Sequence, residues 1–385
     1  MQDMDWQEWR HHLHQHPELS FQEVQTAARI KQWFSAYAPD EMLENLCGSG
    51  MAMLYHGVED GPVTLIRCEL DALPIQEKGS AVYRSSTPGV AHLCGHDGHM
   101  AMVCAVGAHL SVHRPQKGKV VLLFQPAEET GEGAIAVAND PQFAELQPDY
   151  AFALHNYPGL ALGEVAIKAG TFNCASAGMI VHLDGKTSHA AHPENGISPT
   201  LALSELLKEF PQLPAKVAER SWVTVIHANL GEIAFGTSPG HAVLMVTLRS
   251  ESNQGMAALK QQAEQWVKSV CTAHQLGWRI DYQDVFQASV NSAQGVLAVE
   301  QACKALNIPC HTLAEPMRWS EDFGEFTRIA KEGAMFVLGS GEHSPQLHNE
   351  HYDFPDALLP VGSSLFIQLL REIHQLDVAE PGSKV

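Results

Sequence analysis

The chain has 385 residues, 45% of them hydrophobic and 18% charged, which is ample for a packed core and suggests about two domains. Its 24 basic and 44 acidic residues give a formal charge of −20, a surface that repels phosphate backbones and excludes nucleic acid as an expected partner. The eight cysteines form no CxxC pair, no apolar run is long enough to span a bilayer, and the start Met1 to Trp6 has no basic-then-apolar pattern, so the expectation is a reduced, cytoplasmic enzyme with no membrane association.

The segment Trp6 to Phe34 reads as one or two helices broken near Pro17, and Ser20 with Glu23 has the spacing of a capping box for the second. His11, His12, His14 and His16 are expected on several faces of a helical surface rather than as a metal tract. Three later segments share one design. Val63 to Leu70 runs into Asp71, Val120 to Phe124 into Glu128-Glu129, and Tyr150 to Leu154 into His155. Each is a short, nearly continuous apolar run, as expected of strands buried on both faces. A fourth, Ala334 to Leu338, leads towards His343 and His348. In open α/β sheets sites lie outside the carboxyl ends of the strands, so four segments far apart in sequence send polar groups to one place.

From Asn173 to Phe286 the pattern changes. Strands at 179–183, 222–228, 242–248 and 278–285 and helices at 199–210 and 254–271 give the order β-α-β-β-α-β, a ferredoxin-like module inserted between two halves of another domain. The tail 379–385 is expected to lack fixed structure.

The sharpest chemical signal is Ala91 to Met100, which holds Cys94, His96, Asp97 and His99. Cys94 and His96 are two apart, so on an extended backbone they face the same side, and Gly95 permits a tight approach. Thiolate and imidazole suit Zn²⁺ or a similar borderline ion, and Asp97 is placed to hold a ligand histidine in one tautomer. Taken alone, Cys94 reads as a buried small hydrophobe. Glu128 and Glu129 are adjacent carboxylates at a strand end, costly unless a cation compensates them. One can ligate while the other takes a proton from metal-bound water. Alone, the pair reads as a solvated acidic loop. Gly131-x-Gly133 is no phosphate loop, since no GK[ST] or GxGxxG follows.

These residues match a known family nearly end to end. Arg10 to Ser20, Leu70 to Ile75, Cys94 to His99, Phe124 to Glu129, Ala153 to Asn156, Ser188 to Ala191, Ser320 to Phe323 and Leu347-His348 are similar, in the right order, to the motifs of the amidohydrolase branch of the aminoacylase and carboxypeptidase G metallopeptidases. That branch includes hippurate hydrolases, auxin-conjugate hydrolases and N-acetyl-diaminopimelate deacetylases. The resemblance implies an α/β fold: a central mixed sheet with flanking helices as a catalytic domain, residues 1–172 and 287–385, and an inserted ferredoxin-like lid and dimerisation domain, 173–286. It implies that Cys94, His96, Glu129, His155 and His348 bind two divalent ions, Zn or Mn before Co or Ni. Glu128 would be the general base, His189 the lid histidine that polarises the substrate carbonyl, and Asp71 and Asp97 would stand behind the ligands. The expected substrate is a small N-acyl amino acid, cut to a carboxylate and a free amino acid by a homodimer.

Some positions depart from the family pattern. Glu69 stands where Asp is commoner and Leu93 where a small residue is. The stretch Leu230 to Pro239 lacks the usual Gly-Gly and Asn-Val-Ile-Pro, with Phe235 in the place of a substrate-contacting Asn. Arg249 is the candidate for the substrate carboxylate, against a plain surface strand charge. His189 alone reads as a surface-loop histidine. Three rival functions remain at this level: a dipeptidase or exopeptidase with the same site, a metal-stabilised binding protein, and nucleophilic catalysis by Cys94.

Overall fold

The computed structural model describes residues 5–376, and the tail 379–385 lies outside them. The chain divides into two compact units. In chain order the first contains α1 (Trp6–Gln15), α2 (Val24–Phe34), β1 (Glu41–Leu46), β2 (Gly50–His56), β3 (Glu59–Glu69), α3 (His96–Val112), β4 (Lys117–Gln125), α4 (Gly133–Ala138), α5 (Pro141–Ala144), β5 (Tyr150–Pro158), β6 (Val165–Ile167) and β7 (Gly170–Asn173). The second holds β8 (Ala175–Asp184), β9 (Ser188–His189), α6 (Thr200–Glu209), β10 (Ser221–Leu230), β11 (Thr237–Ser238), β12 (His241–Ser250), α7 (Asn253–Ala273) and β13 (Gly277–Phe286). The first unit resumes with β14 (Ser289–Asn291), α8 (Ala293–Leu306), β15 (Cys310–Thr312), α9 (Gly324–Ile329), β16 (Glu332–Gly341) and α10 (Leu358–His374). The short segment Pro316–Glu321 goes with the second unit.

The first unit is built on a mixed sheet of order β1-β2-β4-β3-β5-β16-β6-β15. Its four middle strands, β4, β3, β5 and β16, are mutually parallel, while β2 and β6 flank them antiparallel. The apolar runs explain the choice: Leu122, Leu123, Phe124, Phe152, Phe336 and Val337 are all fully buried, as a parallel sheet covered by helices requires. Each such side chain contributes on the order of 1.5–3 kcal/mol through burial.

The second unit has a four-stranded antiparallel sheet of order β10-β12-β8-β13, with elements in the sequence β-α-β-β-α-β. Strands β8 and β12 alternate: Met179, Val181, Leu183, Leu244, Val246 and Leu248 pack with residues of α6 and α7, while Ile180, His182, Met245 and Arg249 on the other face are only partly buried. That is the period-2 signature of a sheet with one covered face.

Two sequence expectations fail near the start. The Ser20–Glu23 capping box is not formed. Glu18 caps α2 instead, accepting the N–H groups of Gln25 at 3.2 Å and Thr26 at 2.7 Å, which places a carboxylate on orphan donors at the positive helix end. Ser20 is drawn away by Asp71, to which its hydroxyl donates at 2.7 Å. The histidine tract is not all surface either. His14 and Arg10 are fully buried, because α1 turns them towards Asp97 on α3; Arg10 Nη1 donates to that carboxylate at 3.1 Å, and His14 Nδ1 lies 2.9 Å from it.

Candidate metal centre

The parallel middle strands bring their carboxyl ends together. β3 leads into Asp71, β4 into the loop bearing Glu128 and Glu129, β5 carries His155 and Asn156, and beyond β16 the chain reaches His348. The Cys94–His96 segment is not extended, as its spacing suggested. It is a turn: Gly95 has φ 97° and His96 opens α3. A Cβ at Gly95 would lie 2.3 Å from Asn156 Oδ1, so glycine is required both for the backbone angle and for the approach to β5.

The turn sets Cys94 Sγ 3.5 Å from His155 Nε2 and 3.3 Å from His348 Nε2. Glu129 Oε1 lies 3.8 Å from His96 Nε2 and 3.7 Å from His348 Nε2. Two groups of three follow, Cys94-His96-His155 and Cys94-Glu129-His348, each with its ligand atoms within 4.8 Å of one another. The two groups have Cys94 in common, so these residues would hold two divalent ions close together. A set of thiolate, imidazole and carboxylate donors fits borderline divalent ions.

The histidines are prepared for this role. His96 Nδ1 donates to the Asp71 carbonyl at 2.8 Å and His155 Nδ1 to that of Asn156 at 2.8 Å, which leaves each Nε2 lone pair facing the cluster. His96 Nε2 is buried without a hydrogen-bond partner. Burial opposes charge on this ring, yet the carboxylates of Asp71, Glu69 and Glu129 push its pKa up to about 10. A cation at Nε2 answers the same negative field as a proton there. Burial pulls His155 the other way, well below its ordinary range, which suits a neutral ligand. Glu128 is buried, with Oε2 3.9 Å from His96 Nε2; it is in neither group that shares Cys94 but forms a further group of three with His96 and Glu129.

The loop that carries both glutamates is held by its backbone. Three carboxylates accept N–H groups of the loop and of the first turn of α4 after it: Glu23 takes Ala127 at 2.8 Å, Asp71 takes Glu129 at 3.0 Å, and Asp322 takes Ala134 at 2.9 Å. Ala127 has φ 52°, a left-handed angle that alanine adopts only when its surroundings fix it. Asp322 is itself held by Gln125 Nε2 at 2.7 Å and by Arg67, whose guanidinium also donates to Glu69 and to Gln125. Glu69 is in turn 2.7 Å from His99, and His99 is 2.6 Å from Asn156 Oδ1. A continuous buried polar network therefore lies behind the ligands.

Asp71 stands behind His96 and Glu129. Asp97 does not hold a ligand histidine; its carboxylate goes to Arg10 and His14, because the start of α3 turns it away from the cluster towards α1. His189 and Arg249 belong to the second unit. His189 is exposed on β9, paired with Thr237 of β11, and its Nδ1 accepts the Ala191 N–H at 3.0 Å, which leaves Nε2 as a donor. Arg249 on β12 donates to the Arg318 carbonyl and to Ser320 Oγ, each at 2.9 Å. The roles of Glu23, read in the sequence only as half of a capping box, of Asp322, read only as part of the Ser320–Phe323 motif, and of Arg67 are given by the structure. Arg67 was the available signal, a cation inside an apolar strand that needs a buried counter-charge.

Known proteins share this organisation. Residues 65–372 match the model of peptidase family M20/M25/M40. The chain is 28% identical to a hippurate hydrolase of Campylobacter jejuni, over 95% of each chain. It is 29% identical to an N-acetyldiaminopimelate deacetylase of Bacillus velezensis, over 88% of this chain and 91% of that one. Among solved structures it resembles a Bacillus subtilis dinuclear metal binding peptidase of the M20 family, with TM-score 0.81 and 25% identity over 96% and 98% of the two chains. The chain belongs to peptidase family M20/M25/M40 and is a hydrolase of that family.

Proposed function

We propose that this chain hydrolyses the amide bond of small N-acyl amino acids, acetyl or aromatic acyl, with two divalent ions per subunit. The observation that carries the reading is the pair of ligand groups sharing Cys94, with Glu128 beside them. Cys94, His96, Glu129, His155 and His348 are the assigned ligands, and Zn or Mn the expected ions, with Co or Ni as substitutes. When bound, the ions supply an acidified water and a Lewis-acid contact for the amide carbonyl. Glu128 takes the proton of the attacking water and passes it to the leaving nitrogen. His189 donates from Nε2 to the carbonyl oxygen as charge develops there. Arg249 pairs with the amino-acid carboxylate.

The second unit, 173–286 in outline, is assigned as lid and dimerisation domain of a homodimer, with His189 reaching the partner's site. Support comes from β10, an edge strand whose Ile226 and Leu230 are exposed, and from the following loop, where Ile233 and Phe235 are fully exposed. An unpaired strand edge with apolar side chains favours pairing with a second copy. Among the described residues no helix is long and apolar enough to cross a membrane. The test is a pooled library of N-acyl amino acids incubated with the metal-loaded chain and followed by mass spectrometry. Free amino acids should appear, and a chelator should stop them; full turnover by metal-free protein would remove the proposal.

A further inference from the structure

The proposed reaction uses one guanidinium of the second unit, and a second lies beside it. Arg318, in the segment Pro316–Glu321, gives its carbonyl to Arg249 Nη1 at 2.9 Å. Trp222 on β10 sits across from Arg249 in the β10–β12 register. The indole centre lies 5.0 Å from Arg318 Cζ and 5.3 Å from Arg220 Cζ. Three guanidiniums and an indole thus gather at one end of this sheet.

Their charges are not all answered. Glu251 pairs with Arg220 at 3.2 Å. Among the described residues neither Arg249 nor Arg318 has a carboxylate partner: Arg249 donates to a carbonyl and a hydroxyl, and Arg318 stands only against the indole face. The acid at this end of the sheet, Glu251, is engaged by Arg220 rather than by Arg249 or Arg318. Neighbouring uncompensated cations repel, and Arg249, only partly exposed, is incompletely screened by solvent. An anionic ligand relieves that repulsion, and the planar guanidinium fork matches a carboxylate. Two such forks beside an apolar ring match two carboxylates joined by a short methylene chain, with the methylenes against the ring.

We propose that Arg249, Arg318 and Trp222 form a recognition site for an amino acid with two carboxylates, glutamate or aspartate in kind. Arg249 takes one carboxylate and Arg318 the other. That this amino acid is the leaving half of the substrate rests on the reading of the chain as an N-acyl amino acid hydrolase; that the site binds a dicarboxylate does not.

The experiment has two arms. In the first, free glutamate and free glutamine are titrated calorimetrically into metal-loaded wild type, Arg318→Ala and Arg318→Lys. Glutamate should bind wild type about 10- to 100-fold tighter than glutamine, the worth of one charge-assisted pair, and the ratio should fall towards one in Arg318→Ala and recover in part in Arg318→Lys. In the second arm, kcat/KM is compared for N-acetyl-glutamate and N-acetyl-glutamine, and the same loss of ratio is expected. Arg318 is exposed, so circular dichroism should show Arg318→Ala folded as wild type. Glutamate binding that is absent from wild type, or unchanged in Arg318→Ala, overturns the site. Arg318-dependent glutamate binding with no amide hydrolysis leaves the site standing and overturns the functional reading instead.

Discussion

Two loops of this chain follow long strands and are built in opposite ways. The loop after β4 carries Glu128 and Glu129; Pro126, Ala127 and Glu128 are buried, and three carboxylates from distant segments grip its backbone and the first turn of α4. The loop after β10 is exposed almost throughout, and backbone hydrogen bonds hold it, from Ala234 N–H to the Glu232 carbonyl at 2.8 Å and from Ala190 N–H to the Gly236 carbonyl at 2.9 Å. Ile233 and Phe235 at its tip touch almost nothing of their own chain. The first loop is organised before any ligand arrives, which is what positioned catalysis requires. The second presents exposed apolar area, the surface that the proposed dimer would use.

The contrast is broken most severely at the first loop. Glu128→Gln should lower kcat by ~10²–10⁴-fold, the usual worth of a general base, while elemental analysis finds metal content unchanged. Glu129→Gln should show the reverse emphasis, with metal lost first. Equal metal loss in both variants would mean that the two carboxylates do not divide the work.

Next in size is the grip itself. Asp322→Ala leaves Arg67 buried beside a missing partner and should destabilise the fold by about 3–5 kcal/mol in urea titrations, with weaker metal retention. Asp322→Asn, which keeps an acceptor for Ala134 N–H, should lose less. If metal retention does not follow stability in this pair, the loop is positioned by something other than Asp322.

A smaller effect is expected from His14, buried between α1 and Asp97. Burial lowers its pKa, but the charge and hydrogen bond of Asp97 and the hydrogen bond of Glu77 outweigh that and raise it from 6.5 to about 9. The folded state therefore binds this proton more tightly than the unfolded chain. The stabilisation is complete below pH 6.5 and is lost as pH rises through about 9. The Tm difference between wild type and His14→Asn should be largest near pH 6 and shrink by pH 9.5. A difference that grows with pH would reverse the assignment.

The least effect on the subunit itself is expected at the second loop. Ile233→Ser with Phe235→Ser should leave Tm and metal content unmoved, since both side chains are fully exposed. Sedimentation should nevertheless show monomers, and turnover should fall if His189 serves the partner's site. Unchanged dimers would place the interface elsewhere.

The four converging strands were legible because each is buried on both faces and so reads as an unbroken apolar run; the second unit was legible for the opposite reason, since β8 and β12 alternate. Helix α3 was not. It is buried on nearly every side, which erases the helical period, and it starts from a left-handed glycine rather than a capping side chain. The burial of Arg10 and His14 was equally hidden, because their partner Asp97 lies more than eighty residues on. That Glu23 and Asp322 accept backbone N–H groups beside the glutamates was hidden for the same reason, whereas Asp71 was expected behind the ligands. Sequence patterns report periodicity along one segment, whereas a backbone N–H and the side chain that accepts it carry no shared local mark.

The strand pair β7 and β14 has a consequence for how such a chain came to be assembled. β7 ends as the chain leaves for the second unit and β14 begins as it returns, and the two are hydrogen-bonded to each other. The two strands form a small sheet of their own, so the ends of the insertion between them meet. A folded segment whose ends already meet adds little chain-closure entropy, since that cost grows only with the logarithm of the length of a flexible connection. The junction is a docking port in the polypeptide sense: a module of different size with equally close ends could be grafted there, provided that it also accommodates the segment Pro316–Glu321, which goes with the second unit.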